Sequence, residues 1–280
     1  MGNAANHLRK RLARPEPLVM GVLNVTPDSF SDGGRYTDVD AAVARAQQMV
    51  EEGAELIDIG GESTRPGAEA VPLDEERRRV LPLLEALAER VAVPLSIDTS
   101  KPEIMTEAGA AGVALINDVR ALQAPGALSA VAGLDANVCV MHMQGEPRSM
   151  QTSPHYDDVV CEVGDFLEER VAACIDAGIG RERIVVDPGF GFGKTLEHNL
   201  SLLRHLGRLV ERLDLPLLAG ISRKRMIGTL TGGASAQDRL YGSVAAAVLA
   251  AERGARVLRV HDVRPTVEAL AIVQATIEAE

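Results

Sequence analysis

The residues best suited to chemistry stand at the ends of short apolar runs. Asn24, Asp58, Asp98, Asn117 with Asp118, His142, Asp187, Ser222 with Lys224, and His261 with Arg259 just before it each close or follow a β-forming stretch. For any single one, turn or capping chemistry accounts for the residue type, and Asp58 and Asp118 are read that way. A whole ring is harder to account for so, because desolvating several carboxylates together costs free energy unless a ligand or counter-charge compensates. Asp98, Asn117 and Asp187 offer acceptors and one amide donor, a set that suits a flat heterocycle with N–H and amino donors along one edge. Lys224 adds a donor for a ring carbonyl. Arg65, Arg259 and His261 are opposite in character and suit a dianionic group. These residue types predict a polar ring in a throat and an anion at its lip.

The elements that must position these groups are legible as alternation. Strand-like runs fall at Leu18–Val25, Glu55–Ile59, Leu95–Asp98, Ala114–Asp118, Asn137–His142, Ile184–Asp187, Leu217–Ser222 and Val257–His261. They lie about 35 residues apart on average, close to one strand–loop–helix–loop unit. Several are continuously apolar up to a polar end, as strands buried on both faces are. Between them lie helical patterns, such as the stripe Val39, Val43, Ala46, Met49 and Val50 stopped by Gly53. The count and spacing predict an α/β chain folded as a single (β/α)8 TIM barrel over residues 18–280, with its active site at the C-terminal ends of the strands. An open doubly wound sheet is the alternative. Two loops, Thr26 to Thr37 and Glu62 to Pro72, are long and Gly-rich, and residues 1–17 form a polar, basic N-terminal extension outside the barrel.

Composition narrows the function classes. The chain has 280 residues, 29 Lys and Arg against 40 Asp and Glu, and a net charge of −11, which excludes the basic stripe a nucleic-acid binder needs. Aromatics are 2% of residues and Trp is absent, so base-stacking platforms are excluded as well. No apolar run reaches the ~18 residues of a membrane span. The three cysteines show no C-x-x-C spacing and are expected to be inert buried thiols of a cytoplasmic protein. Gly189-Phe190-Gly191-Phe192-Gly193-Lys194-Thr195 imitates a phosphate-binding loop, but Pro188 stands where the first glycine belongs. It is read instead as a loop after the sixth strand in which Phe190 faces a ligand and Lys194 is a loop-positioning or solvent charge. No histidine spacing suggests a metal site. Ser222 has no histidine nearby in sequence, so covalent serine catalysis is not expected.

Several blocks resemble a known family. Gly21-Val22-Leu23-Asn24-Val25-Thr26-Pro27-Asp28-Ser29-Phe30-Ser31-Asp32-Gly33-Gly34 and Asp58-Ile59-Gly60-Gly61-Glu62-Ser63-Thr64-Arg65-Pro66-Gly67 closely resemble the dihydropteroate synthases. Ser96-Ile97-Asp98-Thr99, Ile116-Asn117-Asp118, Asp187-Pro188-Gly189-Phe190-Gly191-Phe192-Gly193-Lys194, Gly220-Ile221-Ser222-Arg223-Lys224 and Arg259-Val260-His261-Asp262-Val263 follow in the family's order. The resemblance runs from about Leu18 to the end, with no departure at a motif position. It implies a transferase of folate biosynthesis that joins 6-hydroxymethyl-7,8-dihydropterin diphosphate to p-aminobenzoate, releasing diphosphate and 7,8-dihydropteroate. By resemblance, Asp98, Asn117, Asp187 and Lys224 hold the pterin, and Asn24 is the Mg²⁺ ligand. Arg259 and His261, with Arg65, anchor the diphosphate. Phe30, Thr64, Arg65, Pro66, Phe190 and Ser222 line the p-aminobenzoate pocket, where sulfonamides would compete. A homodimer is implied too, with the small apolar stretch Ser243 to Ala251 as its candidate interface. Two rivals are a corrinoid-linked pterin methyltransferase, whose first loop and Ser-Arg-Lys block should differ, and a non-catalytic pterin binder, in which the anion-holding residues should be eroded.

Overall fold

The computed structural model describes residues 4–25, 35–63 and 67–279. Eight strands, β1 (Leu18–Asn24), β2 (Leu56–Gly60), β3 (Leu95–Asp98), β4 (Leu115–Asp118), β5 (Asn137–Met141), β6 (Ile184–Asp187), β7 (Leu218–Ala219) and β8 (Val257–Val260), pair in parallel in the order β6-β5-β4-β3-β2-β1-β8-β7. A single bridge between Val186 and Leu217 joins the two ends of that order. The result is the expected (β/α)8 barrel, not an open sheet. The described helices are α1 (Ala4–Leu12), α2 (Arg35–Glu51), α3 (Leu73–Arg90), α4 (Pro102–Ala110), α5 (Ala127–Ala132), α6 (Val159–Asp176), α7 (Leu196–Arg204), α8 (Leu206–Leu213), α9 (Arg225–Leu230), α10 (Leu240–Glu252) and α11 (Val263–Glu278). No described helix is long and apolar enough to cross a membrane.

Strand parity separates the barrel's two faces, because successive side chains point to opposite sides. Val19, Leu23, Ile57, Ile59, Ile97, Ile116, Val138, Val140, Val186, Leu258 and Val260 join the outer core that the helices cover. Leu18, Met20, Leu56, Leu115, Cys139, Val185, Leu218 and Val257 form a second cluster inside the barrel. Continuing those inner rows toward the C-terminal ends brings Asn24, Asp58 with Gly60, Ser96 with Asp98, Asn117, Asp187 and Arg259 to the inner face above the apolar floor. Register levels them: Asn24 pairs with Gly60, Gly60 with Asp98, and Asp98 with Asn117.

The N-terminal extension is not outside the fold. Within residues 1–17, α1 buries Ala5, Leu8 and Leu12, and both leucines belong to the inner cluster at the barrel floor. The Asn137 side-chain amide donates to Ala5 O at 3.0 Å. Arg11 forks onto Glu55 at 2.5 and 2.8 Å and onto the carbonyls of Glu16 and Pro17. Burying each leucine contributes roughly 1.5–3 kcal/mol, so α1 is the barrel's plug. The cysteine expectation also needs correcting: Cys139 and Cys174 are buried, but Cys161 is exposed.

Candidate active site

The mouth is organised by one guanidinium. Arg259 donates from Nε to Asp58 Oδ2 at 2.6 Å and from Nη2 to Asp98 Oδ2 at 2.8 Å. Asp58 also accepts from Ser96 Oγ at 2.6 Å and from the Asn117 amide at 3.3 Å. Asp58 is fully buried within β2, which corrects the turn role expected from its residue type. It orients Arg259 and Asn117 from below. Arg259 also reaches down from the cationic side of the mouth into its acidic throat. Arg259 lies between two carboxylates, because several buried acids with no cation among them would be too costly. Asp118 keeps its structural role, accepting the backbone N–H of Arg120 and of Leu122 at 2.8 Å.

Burial tunes these groups. It pushes the Asp98 carboxyl up to about 7, against the pull of Arg259 and with help from the charge on Asp58. Asp187 is also raised by burial, opposed by Lys224 and by the Gly189 N–H, which reaches Asp187 Oδ1 at 2.7 Å. Lys224 is pushed down to about 8 by burial, against the stabilising charges of Asp187 and Asp98. Arg259 is shifted further upward: its carboxylate neighbours outweigh desolvation. Acid and ammonium are thus both poised near neutrality in one mouth.

The β6 loop closes one side. Gly189, Gly191 and Gly193 all have positive φ, at 69°, 80° and 60°, and a Cβ on Gly189 would collide with the His142 carbonyl oxygen. This packing lets the loop lie directly on the end of β5. Lys224 Nζ donates to Phe190 O and sits 4.5 Å from the centroid of the Phe192 ring. Phe190 itself is 0% exposed in the outer core, so the aromatic wall is Phe192 and not Phe190. The two alternate with glycines, and no sequence pattern distinguishes them. Lys194 is buried, not solvent-facing. It reaches His142 Nδ1 at 2.8 Å and Phe192 O at 3.0 Å, which supports its loop-positioning reading. Burial, reinforced by the Lys194 charge, pushes His142 down to about 3.

At the rim, Ser222 does meet a histidine. Its Oγ lies 3.1 Å from His261 Nδ1 and accepts the His261 backbone N–H at 3.2 Å. Thirty-nine residues separate the two in sequence, a distance only the barrel closes. Of the expected site residues, Asp98, Asn117, Asp187, Lys224 and Arg259 converge in the mouth. Asn24 borders it, since a Cβ on Gly60 would lie 3.6 Å from Asn24 Oδ1 and 3.9 Å from Asp98 Oδ2. Phe30, Thr64, Arg65 and Pro66 lie outside the described residues.

Parallel strands, a plugged floor and ionisable groups gathered at the C-terminal mouth define an enzyme of the (β/α)8 barrel class that takes a polar ligand. The chain belongs to the pterin binding enzyme family, whose sequence model matches residues 20–261. It is 53% identical over 264 residues to the dihydropteroate synthase of Escherichia coli (strain K12), covering 94% of this chain and 93% of that one. Yersinia pestis dihydropteroate synthase, solved with a sulfonamide drug complex, superposes with a TM-score of 0.90 at 55% identity, covering 94% and 95% of the two chains. The Xanthomonas albilineans enzyme, solved in complex with 7,8-dihydropteroate, gives a TM-score of 0.85 at 51% identity, covering 96% and 95%. The activity these likenesses support is that of a dihydropteroate synthase, a transferase.

Proposed function

We propose that the protein condenses 6-hydroxymethyl-7,8-dihydropterin diphosphate with p-aminobenzoate by dissociative substitution. The observation that carries this reading is the convergence of Asp98, Asn117, Asp187, Lys224 and Arg259 on one mouth. Asn117 and the two carboxylates meet the pterin's donor edge, and Lys224 meets its ring carbonyl. The methylene C–O bond breaks with its electron pair going to diphosphate, and the positive charge on carbon spreads into the electron-rich ring. Ionised Asp98, with Asp187, favours that cation. Arg259 and His261 hold the departing anion. The p-aminobenzoate nitrogen then forms the C–N bond and releases its proton. A p-aminobenzoate pocket beside Ser222 that is closed to water would keep the cation from being trapped by solvent. No protein nucleophile is required.

We propose Mg²⁺ as the cofactor, which Asn24 would help to hold beside the diphosphate. Among the described residues no group of three or more His, Cys, Asp and Glu could hold a metal, and Asn24 supplies a single amide oxygen. That donor set suits a hard ion coordinated mainly by phosphate oxygens and water. When bound, Mg²⁺ supplies charge neutralisation for the leaving group.

A coupled assay for diphosphate release tests the reading. Release that requires both the pterin diphosphate and p-aminobenzoate supports it, whereas pterin binding without turnover refutes it. We further propose a cytoplasmic homodimer. Tyr241, Leu249, Ile272 and Ile277 on α10 and α11 are exposed apolar side chains, which favours pairing through these helices. Sedimentation at micromolar concentration would overturn this if it showed only monomer.

A further inference from the structure

Arg223 lies between two site residues, yet its side chain turns away from the mouth. Its backbone is left-handed, with φ 58°, a conformation that an L side chain disfavours and that persists only where surrounding contacts impose it. Those contacts are on both sides of the residue. Its N–H donates to Ser243 Oγ at 2.9 Å, and its carbonyl accepts from Arg239 Nη1 at 2.8 Å. Its guanidinium forks onto Asp262, with Nε to Oδ2 at 3.0 Å and Nη2 to Oδ1 at 2.6 Å.

Asp262 is equally diverted. It occupies the N-cap position of α11, where an Asp side chain ordinarily accepts a backbone N–H of the first turn, but it makes no such bond. Two adjacent residues of the β7 loop therefore grip two adjacent residues of the β8 loop: Ser222 to His261, and Arg223 to Asp262. The left-handed turn at Arg223 leaves its two neighbours facing inward. Ser222 Oγ meets His261 Nδ1 at 3.1 Å, and Lys224 Nζ meets Phe190 O.

We propose that Arg223 is a positioning residue whose fork onto Asp262 sets the spacing between Ser222 with Lys224 and His261 with Arg259. The proposal rests on the reading above, in which these four side chains hold the substrates. A bidentate guanidinium is the fit device, because a planar fork fixes direction as well as distance.

Glycine separates positioning from mere stability, since it adopts φ 58° without strain. In Arg223→Gly, relief of the left-handed strain offsets part of the stability lost with the fork, so Tm should stay within a few degrees while kcat/KM for the condensation falls 10- to 100-fold. Asp262→Asn, which retains a good capping side chain, should lose a similar factor with Tm within a few degrees. The double variant should lose no more than the worse single one, because both remove the same link. Arg223→Lys should recover part of the loss. The side-chain NMR signals of His261, assigned with His261→Gln, should shift in Arg223→Gly whether or not turnover is measurable. Two results would overturn the proposal: kcat/KM within twofold of the unsubstituted protein with His261 signals unmoved, or losses in the double variant that multiply. Absence of diphosphate release from the unsubstituted protein would instead count against the function reading, and the His261 signals would still decide the positioning.

Discussion

Replacing Asp98 by Asn should make the protein more stable and nearly inactive. The Asp98 carboxyl is buried against Asp58 and Arg259 and ionises near 7, where its ordinary value is 3.8. Because the folded value lies above the unfolded one, the stability this group contributes is complete below pH 4 and is lost as pH rises through about 7. At 1.36 kcal/mol per pKa unit the loss is on the order of 4 kcal/mol at pH 8. Asn resembles the neutral acid and cannot ionise, so Asp98→Asn should recover most of that loss, or roughly 5–10 °C in Tm for a chain of this size. The gap should narrow steadily as pH falls from 7 to 4. A carboxylate about 4 Å from the pterin cation would be worth up to about 4 kcal/mol at an effective dielectric of 20. Turnover should therefore fall roughly 10²- to 10³-fold, with pterin affinity reduced less than about tenfold. Calorimetry across pH, with steady-state kinetics and direct pterin binding, reads all three. A variant less stable than its parent at pH 8 would show that the Asp98–Arg259 pair is net attractive even after desolvation. Equal losses in turnover and pterin affinity would show that Asp98 only binds.

Other expectations follow from the same geometry. kcat/KM against pH should be bell-shaped, falling below about 7 as Asp98 protonates and above about 8 as Lys224 loses its proton; because these groups share a site the limbs belong to the pair, and a flat profile from pH 6 to 9 would contradict the assignment. Phe192→Leu removes the ring beside Lys224 and should weaken pterin binding roughly 2- to 30-fold, on the basis of about 0.5–2 kcal/mol for such a contact. Phe190→Ala should instead cost about 3–5 kcal/mol of stability as a core cavity, so denaturant titration of both variants would expose a reversed assignment. Leu8→Ala in the barrel plug should destabilise by about 2–5 kcal/mol; a loss under about 0.5 kcal/mol would mean that α1 lies loosely against the floor.

Much of the barrel was legible because it depends on local pattern. Eight apolar runs with polar ends, separated by amphipathic stretches, leave few arrangements that bury both faces of every strand. Parity within those runs also sorts the acids. Asp58 shares the inner row of Leu56 and Gly60 while Asp118 lies on the outer row beside Ile116, so a two-residue period separates the functional acid from the structural one. The Leu8 and Leu12 spacing likewise marks a helical stripe, though two leucines beside Arg9, Lys10, Arg11 and Arg14 carry too little signal to stand against the segment's polarity.

What the chain's order determines by itself is therefore the count of strands, the rim on which the polar groups stand, and the motif blocks that place it in its family. Which groups meet was decided by closure of the barrel. Arg259 reaches Asp58 across 201 residues and Asp98 across 161, and Ser222 finds His261 on the neighbouring strand's loop. Phe192 rather than Phe190 becomes the wall through the turn geometry of three left-handed glycines. Such pairings depend on strand register and on the requirement that a buried charge find a counter-charge. Both are properties of the assembled interior, where water no longer screens each group separately.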